Sequence, residues 1–224
     1  SHKEVRRSND FNYDRMGRDR MKVLVACEFS GRVREAFRKF GHDAWSCDLL
    51  PSDDKSKHHI TGDVEQILND GWDLMLAFPP CTYLCSSGLH WNKRVEGREK
   101  KTEEALEFVR LLLNAPVNKI ALENPVGRIG TAIRKADQSI HPYMFGDDAS
   151  KRTCLWLKNL PLLKSTDYIE PRMIDGKARW SNQTDSGQNK LPPSKDRWKK
   201  RSETYQGIAD AMALQWGEDA TTES

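Results

Sequence analysis

Two polar clusters each close an apolar run, and their side-chain types suit one reaction. Pro79-Pro80-Cys81 ends the run from Asp73 to Phe78, and Glu123-Asn124-Pro125 ends the run from Val117 to Leu122. A thiol can add to an electron-poor ring while a protonated carboxyl steadies charge on a ring nitrogen, provided both converge on one substrate. Both runs have the length of a buried strand in a parallel sheet, and proline stops each abruptly. Cys81 and Glu123 are thereby expected at carboxyl ends of strands, the rim where ligands bind in an open α/β sheet. The plainer readings are a small buried thiol and a Glu-Asn pair that caps a helix. Sequence alone leaves both open.

The elements that must position these groups follow from the same periodicity. Met21 to Ala26 is a compact strand, Cys27 to Gly31 a turn, and Arg32 to Phe40 an amphipathic helix that Gly41 closes. Ala44 to Cys47 is the next strand and ends in Asp48. Such a βαβ unit can offer helix N-terminal amides to a carboxylate or phosphate, and its acid can hold ribose hydroxyls. An ordinary tight turn is the alternative, since only one glycine is present. Gly62-Asp63-Val64 follows a brief third strand, where Asp63 either accepts from an exocyclic amine or caps a short helix. Gly88 to Arg98, with His90, Trp91, Lys93 and Arg94, reads as a mobile cover for a nucleic acid or as a plain surface excursion. Thr102 to Asn114 has a capping-box start and a helical period. Lys151 and Arg152 lead into a strand that reaches Leu157. Lys158 to Arg201, with Trp180 and Trp198 among cations, is the least ordered tract: a small nucleic-acid-contacting insertion or a loose connector. Thr204 to Trp216 is an amphipathic helix expected to pack back on the sheet.

Bulk properties bound the reading. A chain of 224 residues supports one substantial core. Its 36 Lys and Arg against 33 acids give a net charge of +3, which permits a polyanionic partner without demanding one. Five cysteines, an odd number, suit a reduced, cytoplasmic setting, and no second Cys/His pair with zinc-finger spacing accompanies Cys81 and Cys85, so no metal is expected. No apolar run approaches ~18 residues, so no membrane span is expected. The expected organisation is a flexible extension over 1–20, with Met21 as a natural start. A catalytic core follows over 21–164, a small insertion over 165–200, a C-terminal helix returning to the core over 201–218, and a tail over 219–224.

The order of these motifs resembles the DNA cytosine-5 methyltransferase family, in a shortened, phage-like version, from about Met21 to Gly217 and more thinly after Leu160. The resemblance implies a Rossmann-like, S-adenosylmethionine-dependent methyltransferase fold, α/β, with a mostly parallel sheet and helices on both faces. It implies Cys81 as nucleophile toward C6 of cytosine, with Glu123 at N3 and Asn124 and Arg152 in support. Phe29, Ser30, Gly31, Asp48, Leu49, Asp63, Val64, Pro80, Gly207 and Ile208 would hold S-adenosylmethionine. Pro79, Ser87, His90, Trp91, Lys93, Arg94 and Lys151 would contact the DNA. The chain departs from the family's pattern in having Val33 where a second glycine stands, Pro125 for a valine and Cys154 for a second arginine. Its DNA-reading region is also far smaller, which leaves room for a partner subunit or homodimer to complete recognition. Alternatives are a free pyrimidine nucleotide or RNA as substrate, a modified methionine cofactor carrying a larger group, or a non-catalytic binding relative. The expected location is the cytoplasm, that of a bacterial host if the chain is phage-encoded.

Overall fold

The computed structural model describes residues 20–218. The chain runs β1 (Lys22–Ala26), α1 (Arg32–Lys39), β2 (Asp43–Asp48), β3 (His59–Thr61), a 3-10 turn (Val64–Ile67), β4 (Leu74–Ala77), α2 (Ser86–Leu89) and α3 (Arg98–Leu113). It continues through β5 (Lys119–Asn124), α4 (Arg128–Ala132), β6 (Gln138–Ile140), β7 (Thr153–Lys158), β8 (Arg172–Ile174), β9 (Lys177–Arg179), α5 (Arg197–Ser202) and α6 (Gln206–Trp216). The tail expected over 219–224, and all but the last residue of the arm expected over 1–20, lie outside the described residues.

Seven strands form one sheet in the order β3-β2-β1-β4-β5-β7-β6. The first five are mutually parallel, and β7 runs antiparallel to both of its neighbours. The mostly parallel α/β sheet is therefore as expected, while β6 and the reversal at β7 were not anticipated. Side chains alternate between two cores, as pleating requires. Val23, Val25, Leu74 and Leu76 pack with Val33 and Phe37 of α1 and Ile208, Met212 and Trp216 of α6 on one face. Leu24, Ala26, Met75 and Ile120 pack with Leu106, Val109 and Leu112 of α3 and Ile129 of α4 on the other. Helices thus cover both faces, and the parallel strands read as continuous apolar runs because neither side meets water.

Three local expectations change. Helix α3 starts at Arg98, after Gly97 at φ 77°, and Thr102 is not its cap but a buried residue whose hydroxyl donates to the Tyr83 carbonyl at 2.7 Å. The segment expected as a loop from Gly88 to Arg98 is the end of α2 followed by successive turns, tied to α3 by Asn92 Nδ2 donating to Thr102 Oγ1 at 2.9 Å. The tract expected to be least ordered contains the β8–β9 hairpin and α5. Its Trp180 is buried and stacks on Tyr143 with centroids 3.8 Å apart, where it holds structure rather than presenting a face to a ligand. Among the described residues no helix is long and apolar enough to cross a membrane.

Candidate active site

The strand order reverses at β1. Helix α1 leaves it for one face, and α3, which follows β4, lies on the other. In such sheets the crevice beyond the carboxyl ends of the two central strands is the natural ligand site. Here it is flanked by the turn after β1, residues 27–31, and the turn after β4, residues 78–81.

The β4 turn is built around Cys81. Its carbonyl accepts from both the Leu84 and Cys85 amides at 3.0 Å, making a helical turn that leads into α2. That turn is fastened to the end of β5. Asn124 Nδ2 donates to the Pro79 carbonyl at 2.9 Å, the Arg128 amide donates to the Leu84 carbonyl at 2.8 Å, and the Ser86 amide donates to the Val126 carbonyl at 2.9 Å. Gly127 makes the closure sterically feasible, since a Cβ there would lie 1.9 Å from the Leu84 carbonyl oxygen. Cys81 and Glu123 therefore stand at the ends of hydrogen-bonded neighbouring strands.

Their electrostatics link them. Burial pushes the Cys81 thiol up, with further upward pressure from Cys85 and Glu123, while Lys151 pulls it down. Burial also raises the Glu123 carboxyl, against a lowering by the same Lys151. Lys151 thus acts on both the thiol and the carboxyl, and Glu123 acts on the thiol. The cation is Lys151, placed in sequence among the DNA contacts. Arg152, expected to support the thiol, is exposed and instead acts on His141, whose imidazole is lowered first by burial and then by that guanidinium. Lys151 Nζ donates to the Arg201 carbonyl at 2.6 Å, so the residues before α6 hold it over the rim. Asn124 acts through position: its amide fixes Pro79, and its buried Oδ1 has no hydrogen-bond partner among the described residues.

On the β1 side the expected first-turn amides are occupied internally. Glu28, missed in sequence, is buried and its carboxylate accepts from the Val33 amide at 3.0 Å and the Arg34 amide at 3.2 Å. The Arg32 amide donates to Ser30 Oγ at 3.3 Å. Burial raises Glu28 to about 7 despite those amides and Arg34. An acid a few residues ahead of a helix start was the signal available for this role. Gly31, at φ 81°, also faces Arg34 and Asp54, which a Cβ would strike. Phe29 is buried and lies under α5, with its ring 5.9 Å from that of Trp198.

Asp48 ends β2 half-buried. Oδ1 accepts from the Leu50 amide at 2.8 Å, and burial raises its carboxyl against that hydrogen bond and His59. Leu49 beside it is 76% exposed. Asp63 fills one of its two expected roles, the cap: its side chain accepts from the Glu65 amide at 2.9 Å at the start of the 3-10 turn that begins at buried Val64. The Gly62 amide donates to the Asp48 carbonyl at 2.8 Å, which joins the ends of β2 and β3, and both acids help raise the thiol of Cys27, after burial.

Gly207 and Ile208 serve packing. A Cβ on Gly207 would lie 1.9 Å from the Phe145 carbonyl oxygen, and Ile208 is buried in the α1-side core. Pro79 is buried and Pro80 exposed. Ser87 is exposed, with its hydroxyl 3.2 Å from Cys85 Sγ. His90, Trp91, Lys93 and Arg94 are all exposed on the turns after α2, where Arg94 lies 5.8 Å over the Trp91 ring.

A cleft of about 490 Å³ lies between the start of α1, Lys151 and the segments 182–192 and 200–205; it shares Lys151 with the site and is lined by neither Cys81 nor Glu123. Arg32, Lys151, Lys190, Lys200 and Arg201 line it against one acid, Glu203. Among the described residues no cluster of three His, Cys, Asp or Glu side chains is arranged to hold a metal ion. No family model matches the chain, and no curated protein matches it either.

Proposed function

We propose that the protein transfers a methyl group to C5 of cytosine in DNA through a covalent adduct of Cys81, with a Rossmann-like methyltransferase core as scaffold. The observation that carries the reading is that Cys81 follows β4 and Glu123 ends the neighbouring β5, the two fastened by the Asn124–Pro79 bond, with the charge of Lys151 acting on both groups. A nucleophile, a raised acid and a cation at one rim match the demands of addition to a pyrimidine ring.

S-adenosylmethionine, when bound, supplies an electrophilic methyl group on its sulfonium. The residues present suit its sugar end best. Asp48 offers a half-buried carboxylate with Oδ1 alone engaged, and Leu49 adds an exposed apolar face. Phe29, Ser30 and Gly31 would border its methionine end through their backbone, since the α1 amides already serve Glu28 and Ser30.

Lys151 favours ionisation of the thiol, whose proton passes to solvent, and the thiolate then adds to C6. Glu123 gives its proton to N3 while the C6–S bond forms, so electron density collects at C5. After C5 is methylated, its hydrogen leaves as a proton to water at the rim. The C6–S bond then breaks, Cys81 departs as thiolate and Glu123 recovers its proton from N3. The buried Asn124–Pro79 bond keeps the thiol turn in place through the cycle. The test incubates the protein with methyl-labelled S-adenosylmethionine and DNA, then digests the DNA and identifies the labelled nucleoside. Label in 5-methylcytosine, lost in Cys81→Ser, is the expected result; no label, or label in another nucleoside, overturns the reading.

A further inference from the structure

The tract between β7 and α6 is poorly equipped to read a duplex. Arginine forks are the commonest readers of guanine edges in a groove, yet both arginines of the hairpin are engaged within the tract itself. Arg172 donates to the Trp180 carbonyl at 2.7 Å and the Gln183 carbonyl at 2.6 Å and pairs with Asp185 at 3.2 Å. Arg179 donates to the Asp185 carbonyl at 3.1 Å and the Ala178 carbonyl at 2.9 Å. Trp180 is buried, and its Nε1 donates to the Ile169 carbonyl at 2.8 Å. What the tract does present outward is charge and stacking surface.

The cleft at Lys151 gathers five cations against one acid, Glu203, whose pairing with Arg32 at 3.2 Å leaves four positive charges unbalanced. At about 490 Å³ it has the size of a small-molecule pocket, enough to seat a single nucleotide. Two exposed tryptophans flank the rim. Trp91, 45% exposed, follows the thiol turn with Arg94 on its face, and Trp198, 53% exposed, lies by Phe29 of the β1 turn with Lys199 at 5.7 Å. A charged groove with aromatic platforms is the arrangement that holds unpaired strands, because bases in a duplex keep their faces stacked on one another.

We infer that the DNA modified at this site is single-stranded, its phosphates seated in the cleft of Arg32, Lys151, Lys190 and Lys200 and its unpaired bases stacked on Trp91 and Trp198. This rests on the methyl-transfer reading and narrows its substrate. The test uses the full chain carrying Cys81→Ser, to separate binding from turnover. Fluorescence anisotropy compares a short cytosine-containing strand, its blunt duplex and the matching RNA strand, with dCMP as competitor. The DNA strand binds about tenfold or more tighter than the duplex, and Trp91→Ala and Trp198→Ala each weaken it about tenfold while Trp91→Phe largely restores it. Lys190→Ala and Lys200→Ala each flatten the slope of log affinity against log salt by about 0.7. Equal or tighter duplex binding, tighter RNA binding, displacement by dCMP at equal concentration, or a salt slope unmoved by both lysine variants overturns the inference. Methyl transfer by the unmodified chain separates the two claims. Transfer to the duplex at the same or greater rate ends this inference alone, whereas strand binding without transfer to either form ends the methyl-transfer reading alone.

Discussion

The Asn124 side-chain amide donates to the Pro79 carbonyl across 2.9 Å, with both residues buried beneath the rim. This single bond joins the residue after Glu123 to the turn that carries Cys81. Asn124→Ala leaves a buried carbonyl without its donor, which costs about 1–3 kcal/mol. Urea denaturation is expected to show that loss, and alkylation of Cys81 is expected to quicken as the turn loosens. Unchanged values for both would remove the bond from the site's support.

Cys81 ionisation should answer to its two charged neighbours in opposite directions. Its thiol is already above the usual range, chiefly through burial, and Lys151 is the group that lowers it. Lys151→Met therefore moves the rise of iodoacetamide reactivity to higher pH, whereas Glu123→Gln removes a negative neighbour and moves it lower. Label at Cys81, located by peptide mapping over a pH series, reads both shifts, and a common direction for the two variants contradicts the assignment.

Glu28 should leave a mark on stability. Burial raises its carboxyl to about 7 in the fold, above the ordinary value of 4.5. The folded state then binds more protons than the unfolded chain between those values. The contribution is full below about 4.5 and is lost as pH rises through 7. The difference corresponds to roughly 3 kcal/mol. Denaturation midpoints at pH 5 and pH 8 should therefore converge in Glu28→Gln relative to the unmodified protein.

On the proposed reading Asp48 serves the cofactor and not the thiol. Asp48→Ala is expected to weaken S-adenosylmethionine binding by about tenfold, the loss of one hydrogen bond to a charged group, with Cys81 alkylation unaltered. Calorimetric titration measures the first and peptide mapping the second, and intact affinity refutes the ribose contact.

Gly127→Ala tests how tightly the two rim loops close. The new methyl would lie 1.9 Å from the Leu84 carbonyl oxygen and 2.8 Å from Cys85 Cα, so the thiol turn must move. Overpacking of this kind costs about 1–3 kcal/mol. Thermal unfolding should show the loss, together with a changed Cys81 alkylation rate.

Much of the scaffold was legible because its signals are local. Continuous apolar runs, prolines that stop them and one helix period in Arg32 to Phe40 suffice to mark β1, β4, β5 and α1 and to set Cys81, Asp48 and Glu123 at strand ends. The short strands β6, β8 and β9, three residues each, carry too few residues for any period to emerge.

By itself the sequence determined the residue types at the rim and the α/β layering, since both depend on neighbours along the chain. Tertiary structure alone decided which groups face one another. Lys151 and Arg152 are adjacent cations, and successive residues in extended backbone point to opposite sides. The antiparallel seating of β7 on β5, with Cys154 opposite Asn124, sets both cations beyond the carboxyl end of β5, where the charge of Lys151 acts on the thiol and that of Arg152 on His141. Likewise only packing buries Trp180 on Tyr143 and turns Glu28 onto the α1 amides, because those partners are chosen by the closeness of surfaces that the linear order does not encode.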